Sequence, residues 1–306
     1  MTHVHTLPGH VLVTGAGGNL GGKSVELLSR LPWCQRITAL HSPRRPAPPP
    51  SGKVTSHCAD LTDAAGDWRR HLDGVHAVLH FAAVNPVPES DWADAMASSD
   101  MTFSLGLAAL AAGVGRFVNC SSNHAIGGYK DAPLAGTVCG GRMTEDLPPA
   151  PGTRWNNGLI DLDSTPYGAS KAFAERFFLM LAAQSGRRMT TVSLRIGWAL
   201  PGDNDPRDIS VSGSPTGQGA TEAAAPDEAR ALRWFRNMWL SNGDLERLLI
   251  AALTADATGW PAPGLIVNGV SDNAGSDWSL TAARRYLGYE PQDDIYRHLA
   301  RDSTDS

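Results

Sequence analysis

Val11-Leu12-Val13-Thr14-Gly15-Ala16-Gly17-Gly18-Asn19-Leu20-Gly21-Gly22-Lys23-Ser24 reads as a buried strand that passes through a glycine turn into a helix. The stretch fits two nucleotide-binding signatures. In the first, Gly15, Gly18 and Gly21 are spaced so that missing Cβ atoms let backbone N–H groups and a helix N-terminus approach a pyrophosphate, with Asn19 and Leu20 on the same turn. In the second, Gly17-x-x-x-x-Gly22-Lys23-Ser24 is a P-loop, whose lysine and serine serve a triphosphate and its magnesium. The rest of the chain decides between them.

The 306 residues, 42% hydrophobic and 19% charged, suit one large or two intimately joined globular domains. A formal net charge of −5 leaves no basic footprint, so nucleic acid is not an expected partner. Neither a signal-like pattern at Met1-Thr2-His3-Val4-His5 nor an apolar run of membrane-spanning length is present, which predicts a cytoplasmic protein with no membrane partner. Cys34, Cys58, Cys120 and Cys139 lack metal-ligand spacing and read as reduced thiols, so no metal is expected.

Outward from the glycine turn, short apolar runs alternate with longer helix-like segments. His10 to Thr14, Arg36 to Leu40, Val54 to Cys58, Ala77 to Phe81 and Arg116 to Cys120 read as strands that are apolar throughout, the pattern of a parallel sheet covered on both faces. The first helix stops before Pro32, and Asp91 to Ala112 reads as a long packed helix. From Gly127 to Pro166 the composition turns to proline, glycine and polar residues, a functional loop expected to roof the site. Tyr167 to Ser185 is a strong helix and Thr190 to Ile196 a strand. Pro201 to Pro226 is either a lid or a segment without fixed structure. Helices over Glu228 to Asn237 and Gly243 to Ala255, a strand over Leu265 to Asn268 and a closing helix over Leu280 to Leu287 complete the chain.

The chemistry concentrates at two places. Ser121-Ser122-Asn123-His124 ends the fifth strand, and Tyr167-Gly168-Ala169-Ser170-Lys171 opens the following helix, with Tyr167 and Lys171 one turn apart on one face. A free phenol titrates near about 10, so a tyrosine works as a base near neutrality only beside positive charge, which a lysine and an oxidised nicotinamide supply. Ser122 is placed to hydrogen-bond the reacting hydroxyl.

With Thr14-Gly15-x-x-Gly18-x-x-Gly21, Asp60-Leu61, His80-Phe81-Ala82-Ala83, Ser121-Ser122 and Tyr167-x-x-x-Lys171 in place, the chain resembles the extended short-chain dehydrogenase/reductases, the NAD-dependent epimerase/dehydratase family. Within that family Ser121 to Gly127, Leu194-Arg195-Ile196-Gly197, Trp239-Leu240-Ser241 and Gly269-Val270-Ser271-Asp272-Asn273 look most like uronate dehydrogenases and the archaeal NAD-dependent glucose-6-phosphate dehydrogenases. The resemblance implies an α/β fold: a Rossmann-type doubly wound parallel sheet over residues 1–197, and a small C-terminal substrate-binding region over 198–306 that returns a strand to the sheet. It implies that an aldose is oxidised at C1 to the lactone, with Ser122, Tyr167 and Lys171 as the catalytic set. Gly15, Gly18, Asn19, Leu20, Gly21, Asp60, Leu61, Phe81, Ala82, Ala83, Tyr167, Lys171 and Ile196 then hold the dinucleotide. Ser122, Asn123 and His124 line the sugar, and the long helices pair with those of a second copy in a four-helix interface, giving a homodimer or higher homo-oligomer.

Three departures from the family pattern carry their own expectations. Where NAD enzymes of this group place an aspartate after strand 2, Ala39-Leu40-His41-Ser42-Pro43-Arg44-Arg45 has no acid, and Ser42, Arg44 and Arg45 suit a 2′-phosphate. NADP is therefore expected ahead of NAD. In the pocket, Asn85 and Trp198 replace two serines of the uronate enzymes, and the arginine for a substrate carboxylate aligns only with Arg207, or with Arg233 and Arg236 three apart on one helix. The same Ser, Tyr and Lys also serve epimerases and dehydratases of nucleotide-linked sugars, but the residues after Ile196 leave little room for a nucleotide. Dinucleotide-binding sensors on this fold commonly lack the Tyr/Lys pair.

Overall fold

The computed structural model describes residues 7–156, 161–211 and 221–301. Among these the strands are β1 (His10–Thr14), β2 (Arg36–His41), β3 (Val54–Cys58), β4 (Ala77–His80), β5 (Arg116–Ser122), β6 (Arg154–Asn156), β7 (Asp161–Asp163), β8 (Thr190–Ile196) and β9 (Gly264–Gly269). The helices are α1 (Asn19–Arg30), α2 (Trp92–Ala111), α3 (Thr165–Gln184), α4 (Pro226–Asn237), α5 (Asn242–Thr254) and α6 (Ile295–Arg301). Seven strands form one sheet in the order β3-β2-β1-β4-β5-β8-β9, parallel throughout. The chain leaves β1 in one direction for β2 and β3, then restarts on its other side with β4. That reversal opens a crevice at the C-terminal ends of β1 and β4, where ligands bind in sheets of this kind.

Side-chain alternation builds the two faces. Val11, Val13, Ile37, Ala39, Leu79, Val118 and Val192 join one core cluster with Val25 and Leu28 of α1 and Leu245, Leu248 and Leu249 of α5. Leu12, Leu40, Val78 and Phe117 join the other, with Met101 and Leu105 of α2 and Phe178 and Leu181 of α3. Each fully buried aliphatic contributes roughly 1.5–3 kcal/mol relative to exposure, so both faces stabilise the sheet. β3 corrects the expectation of strands apolar throughout: Thr55 and Cys58 are exposed, because this strand lies at the sheet edge with β2 as its single neighbour.

Helix limits follow local chemistry. Leu31 caps α1 ahead of Pro32, Asp91 accepts from the Asp94 amide (2.9 Å) at the start of α2, and Pro166 occupies the first turn of α3. The expected helix at Leu280 to Leu287 is instead a short π-helix over Ala283–Leu287, and the closing helix is α6, which the sequence reading missed. The loop from Gly127 to Pro166 holds a 3₁₀ segment over Asn123–Lys130 and the β6–β7 hairpin. Of the second irregular stretch, residues 212–220 lie outside the described residues. Its first part is built into the fold, with Asn204, Ile209 and Ser210 buried.

The large apolar side chains more than half exposed, Trp92, Met96, Leu107, Phe173 and Met180, all lie on α2 and α3. No helix among the described residues is long and apolar enough to cross a membrane.

Candidate active site

The glycine turn meets the end of β4. Gly15 has φ +65°, and a Cβ there would stand 2.7 Å from the Ala82 nitrogen; a Cβ on Gly21 would stand 2.2 Å from the Gly15 carbonyl. Side chains at these two positions would fill a cradle whose backbone faces the N-terminus of α1, which fits a dinucleotide diphosphate. The P-loop reading fails here. Lys23 Nζ donates to the Leu200 carbonyl (2.8 Å) and to Asn242 Oδ1 (2.5 Å), while the buried Ser24 hydroxyl bonds the Leu20 carbonyl (2.7 Å) inside the helix.

The turn after β2 leans on this cradle. The Pro46 carbonyl and Arg45 Cβ lie 2.3 and 2.9 Å from where a Cβ on Gly17 would be. Ser42 accepts from the Arg45 amide (3.1 Å), so Ser42, Arg44 and Arg45 form a tight exposed turn beside the glycines. Asp60 Oδ1 accepts from the Thr62 hydroxyl (2.6 Å) and amide (2.9 Å). These bonds, and more weakly the Arg44 charge, hold its carboxyl below the usual range. Leu61 is buried, and Phe81, Ala82 and Ala83 are half-buried along the crevice.

Across the crevice, α3 brings Tyr167 and Lys171 to the end of β5 that carries Ser122. Lys171 Nζ donates to the Cys120 carbonyl (2.9 Å) and stands 5.5 Å from the Tyr167 ring centroid. The Tyr167 ring meets His124 edge-on at 5.5 Å. Ser122 ends β5 in register with Ile196, and its hydroxyl accepts from the His124 amide (3.2 Å). One turn beyond Lys171, Glu175 pairs with Arg195 through two 2.9 Å bonds and accepts from Ser121 (2.6 Å), all buried. The i, i+4, i+8 spacing of Tyr167, Lys171 and Glu175 is the signal that could have found this brace.

The residues expected to line the sugar, Asn123, His124 and Trp198, are buried. Asn123 Nδ2 donates to the Ile196 carbonyl (3.2 Å), while its buried Oδ1 has no hydrogen-bond partner among the described residues. The His124 Nδ1 lies 2.8 Å from the Ser164 hydroxyl, and burial, reinforced by Lys130, lowers its pKa to about 4, so the ring is neutral at ordinary pH. Lys130 itself is buried, bonded to Asp131 (2.6 Å) and the Arg154 carbonyl (2.8 Å), with its ammonium 5.9 Å from the Phe235 ring centroid. Trp198 packs on Phe235 (5.4 Å), and its buried indole N–H is unpartnered. Sequence reasoning missed Lys130 and Glu145. The latter accepts from the Asn268 amide (3.0 Å), and burial raises its pKa.

The remaining expected residues divide. Asn85 is exposed with φ +44°, its amide bonded to Asp94 at the start of α2 (2.8 Å). Arg207 is exposed and its guanidinium is occupied by Asp205. Arg233 and Arg236 share α4 but do not converge: Arg233 is exposed and donates to the Gly275 carbonyl (3.3 Å), whereas Arg236 donates to the Thr221 carbonyl (3.1 Å). Among the described residues Arg236 alone of the three keeps a buried N–H, Nε, without a partner. Among the described residues no cluster of three His, Cys, Asp or Glu could hold a metal.

An NAD-dependent glucose-6-phosphate dehydrogenase of Haloferax volcanii is 31% identical, over 92% of this chain and 93% of the relative. An L-arabinose 1-dehydrogenase (NAD(P)(+)) of the same organism is 30% identical, over 92% of this chain and 96% of the relative. Among solved structures, a mutated uronate dehydrogenase superposes with a TM-score of 0.69 at 22% identity, covering 98% of this chain and 87% of that one. The model of the NAD dependent epimerase/dehydratase family matches residues 11–197, and the chain belongs to that family.

Proposed function

We propose that the protein is an NAD(P)-dependent sugar dehydrogenase that oxidises the C1 hydroxyl of an aldose to the lactone. The observation that carries this reading is the convergence of α3 on the end of β5: Lys171 bonds the Cys120 carbonyl (2.9 Å), two residues before Ser122, and the Tyr167 ring meets His124 edge-on at 5.5 Å. Relatives named as dehydrogenases of glucose 6-phosphate, arabinose and uronate support it.

Gly15, Gly18, Asn19, Leu20 and Gly21 hold the diphosphate, and Asp60, Leu61, Phe81, Ala82, Ala83 and Ile196 line the rest of the dinucleotide. When bound, the nicotinamide accepts the hydride that leaves C1. Tyr167 takes the proton from the C1 hydroxyl as the carbonyl forms, and Ser122 hydrogen-bonds the same oxygen and orients it. Lys171 holds the ribose hydroxyls and lends positive charge to Tyr167. Asn123 Oδ1 accepts from one sugar hydroxyl and the Trp198 N–H donates to another, which removes two buried polar groups left unpaired in the protein. Asn85 closes the pocket on the α2 side.

Four finer points belong to the same reading. The cofactor is NADP ahead of NAD, since Arg44 and Arg45 flank the cradle with no acid at the end of β2. The far end of the sugar carries an acidic group, met by Arg236 rather than Arg207 or Arg233, because Arg236 keeps an unpartnered buried N–H. The protein forms at least a homodimer through the exposed apolar side chains of α2 and α3. It works in the cytoplasm, where its four unpaired cysteines stay reduced. Absorbance at 340 nm with NADP and, separately, NAD and a panel of D-glucuronate, D-glucose 6-phosphate and L-arabinose tests the reading: at least one sugar should be oxidised, and silence across all three with both cofactors would reject it.

A further inference from the structure

The helix that follows the glycine turn is fastened to the opposite side of the crevice. Asn19, the first residue of α1, donates from Nδ2 to the Ala199 carbonyl (2.9 Å), and Lys23, one turn later, donates to the Leu200 carbonyl (2.8 Å). Lys23 also bonds Asn242 Oδ1 (2.5 Å) at the start of α5, and the Asn242 amide donates to the Gly202 carbonyl (3.0 Å). One ammonium and one carboxamide thus grip both ends of the turn over residues 200–202.

That turn continues directly from Trp198. The Trp198 backbone bonds Met238 (2.8 Å) and Leu240 (2.9 Å), and Asn204 bridges the Leu200 amide and the Leu240 carbonyl, both at 2.7 Å. None of these anchors uses the Trp198 indole N–H, which is buried without a hydrogen-bond partner among the described residues. The groove into which Lys23 opens, about 380 Å³, is lined also by Glu26, Asp203 and Glu246, the last paired with Arg30, acidic surroundings that disfavour a phosphate.

We propose that Lys23 is a positioning residue of the sugar reaction: through Leu200 and Asn242 it fixes the Trp198–Asn204 segment against α1, so that the wall of the sugar pocket is set by the same helix that forms the cofactor cradle. The lysine of the P-loop match then has a purpose unrelated to phosphate. A lysine suits this task because its ammonium offers three donors to two acceptors from separate parts of the chain, on a stem long enough to lie along α1. The proposal rests on the reading of Trp198 as a wall of the sugar pocket.

Lys23→Met, which keeps the stem and removes the donors, and Asn242→Ala, which removes one acceptor, test it. Three quantities are measured: NADPH affinity by nicotinamide fluorescence, the sugar KM and kcat with whichever of D-glucuronate, D-glucose 6-phosphate and L-arabinose the wild type oxidises, and hydrogen exchange of residues 198–204. Both variants should raise the exchange rate of 198–204 at least tenfold and the sugar KM at least fivefold, with NADPH affinity within about threefold of wild type. A tenfold loss of NADPH affinity with unchanged exchange would overturn the proposal in favour of a phosphate role, as would exchange and sugar KM both within twofold of wild type. If none of the three sugars is turned over, the dehydrogenase reading is the one that suffers, and the exchange measurement still decides whether Lys23 holds the segment.

Discussion

The ammonium of Lys171 and the carbonyl of Cys120, 2.9 Å apart, join α3 to β5 and set where Tyr167 stands. Since Lys171 lies one turn from Tyr167 on α3, this bond holds the helix face that carries both residues over the end of the strand that carries Ser122. Glu175, a further turn along, adds the buried pair with Arg195. Losing one partner of such a pair costs on the order of 3–5 kcal/mol, so the register of α3 on the sheet is strongly held.

Tyr167→Phe removes the proton acceptor and none of the phosphate contacts. Turnover should fall by well over tenfold while dinucleotide affinity stays within a few-fold, and Lys171→Ala should damage both. A Phe variant that kept more than a tenth of wild-type kcat, a loss of less than ~1.4 kcal/mol, would refute the assignment of Tyr167 as base. Single-turnover kinetics and fluorescence titration separate the two quantities.

For cofactor choice, an arginine pair on a 2′-phosphate contributes about 1–3 kcal/mol, or roughly ten- to a hundred-fold in affinity. NADP should therefore show the higher kcat/KM, and Arg44→Ala with Arg45→Ala should erase the preference without weakening NAD. Equal kcat/KM for the two cofactors in the wild type counts against the arginines.

Arg236→Ala should raise KM for an acidic sugar tenfold or more and leave a neutral analogue unaffected, because a charged hydrogen bond of this kind contributes about 1.5–3 kcal/mol. Arg207→Ala should change little, its guanidinium being held by Asp205. Equal behaviour of the Arg236 variant on both sugar types would point to a neutral aldose.

Light scattering at micromolar concentration should show at least two 32.4 kDa chains per particle. Leu107→Glu with Phe173→Glu, both on the exposed apolar faces, should halve that mass by placing charge where side chains of the second copy pack. A wild-type monomer would reject the assembly.

Acid should destabilise the fold through its buried imidazoles, among which His80 and His124 carry large downward shifts and His10 is lowered as well. Burial, with Lys171 adding to it, lowers the His80 pKa to about 3, and His124 stands at about 4, against 6.5 when unfolded. Between pH 6.5 and about 4 the unfolded chain binds more protons than the folded one, so stability falls as pH falls, by about 2 kcal/mol per ring at pH 5. Urea denaturation at pH 7.5 and pH 5 measures this, and His124→Asn should make the difference smaller by the share of one ring. A flat profile would mean that the rings are not held neutral.

Local patterns carried much of this protein. The β1 stretch, the glycine spacing, the alternation of strands and helices and the Tyr167/Lys171 pair are short-range signals, because backbone propensity and side-chain period act over a few residues. The order of the strands, which makes the crevice, was accessible only by resemblance. What the chain's own residues could not disclose is which distant side chains meet. Lys23 carries the letters of a phosphate ligand yet bonds Leu200 and Asn242, and Lys130 is one unremarkable lysine until folding buries it near His124 and Phe235. Arg207, Arg233 and Arg236 look equivalent in sequence, yet Arg207 is taken by its near neighbour Asp205, whereas only folding brings Arg233 to the Gly275 carbonyl and Arg236 to the Thr221 carbonyl. The reason is physical: a charged group's role depends on burial and on the partners brought to within about 3 Å of it, and both are products of long-range packing rather than of neighbouring residues.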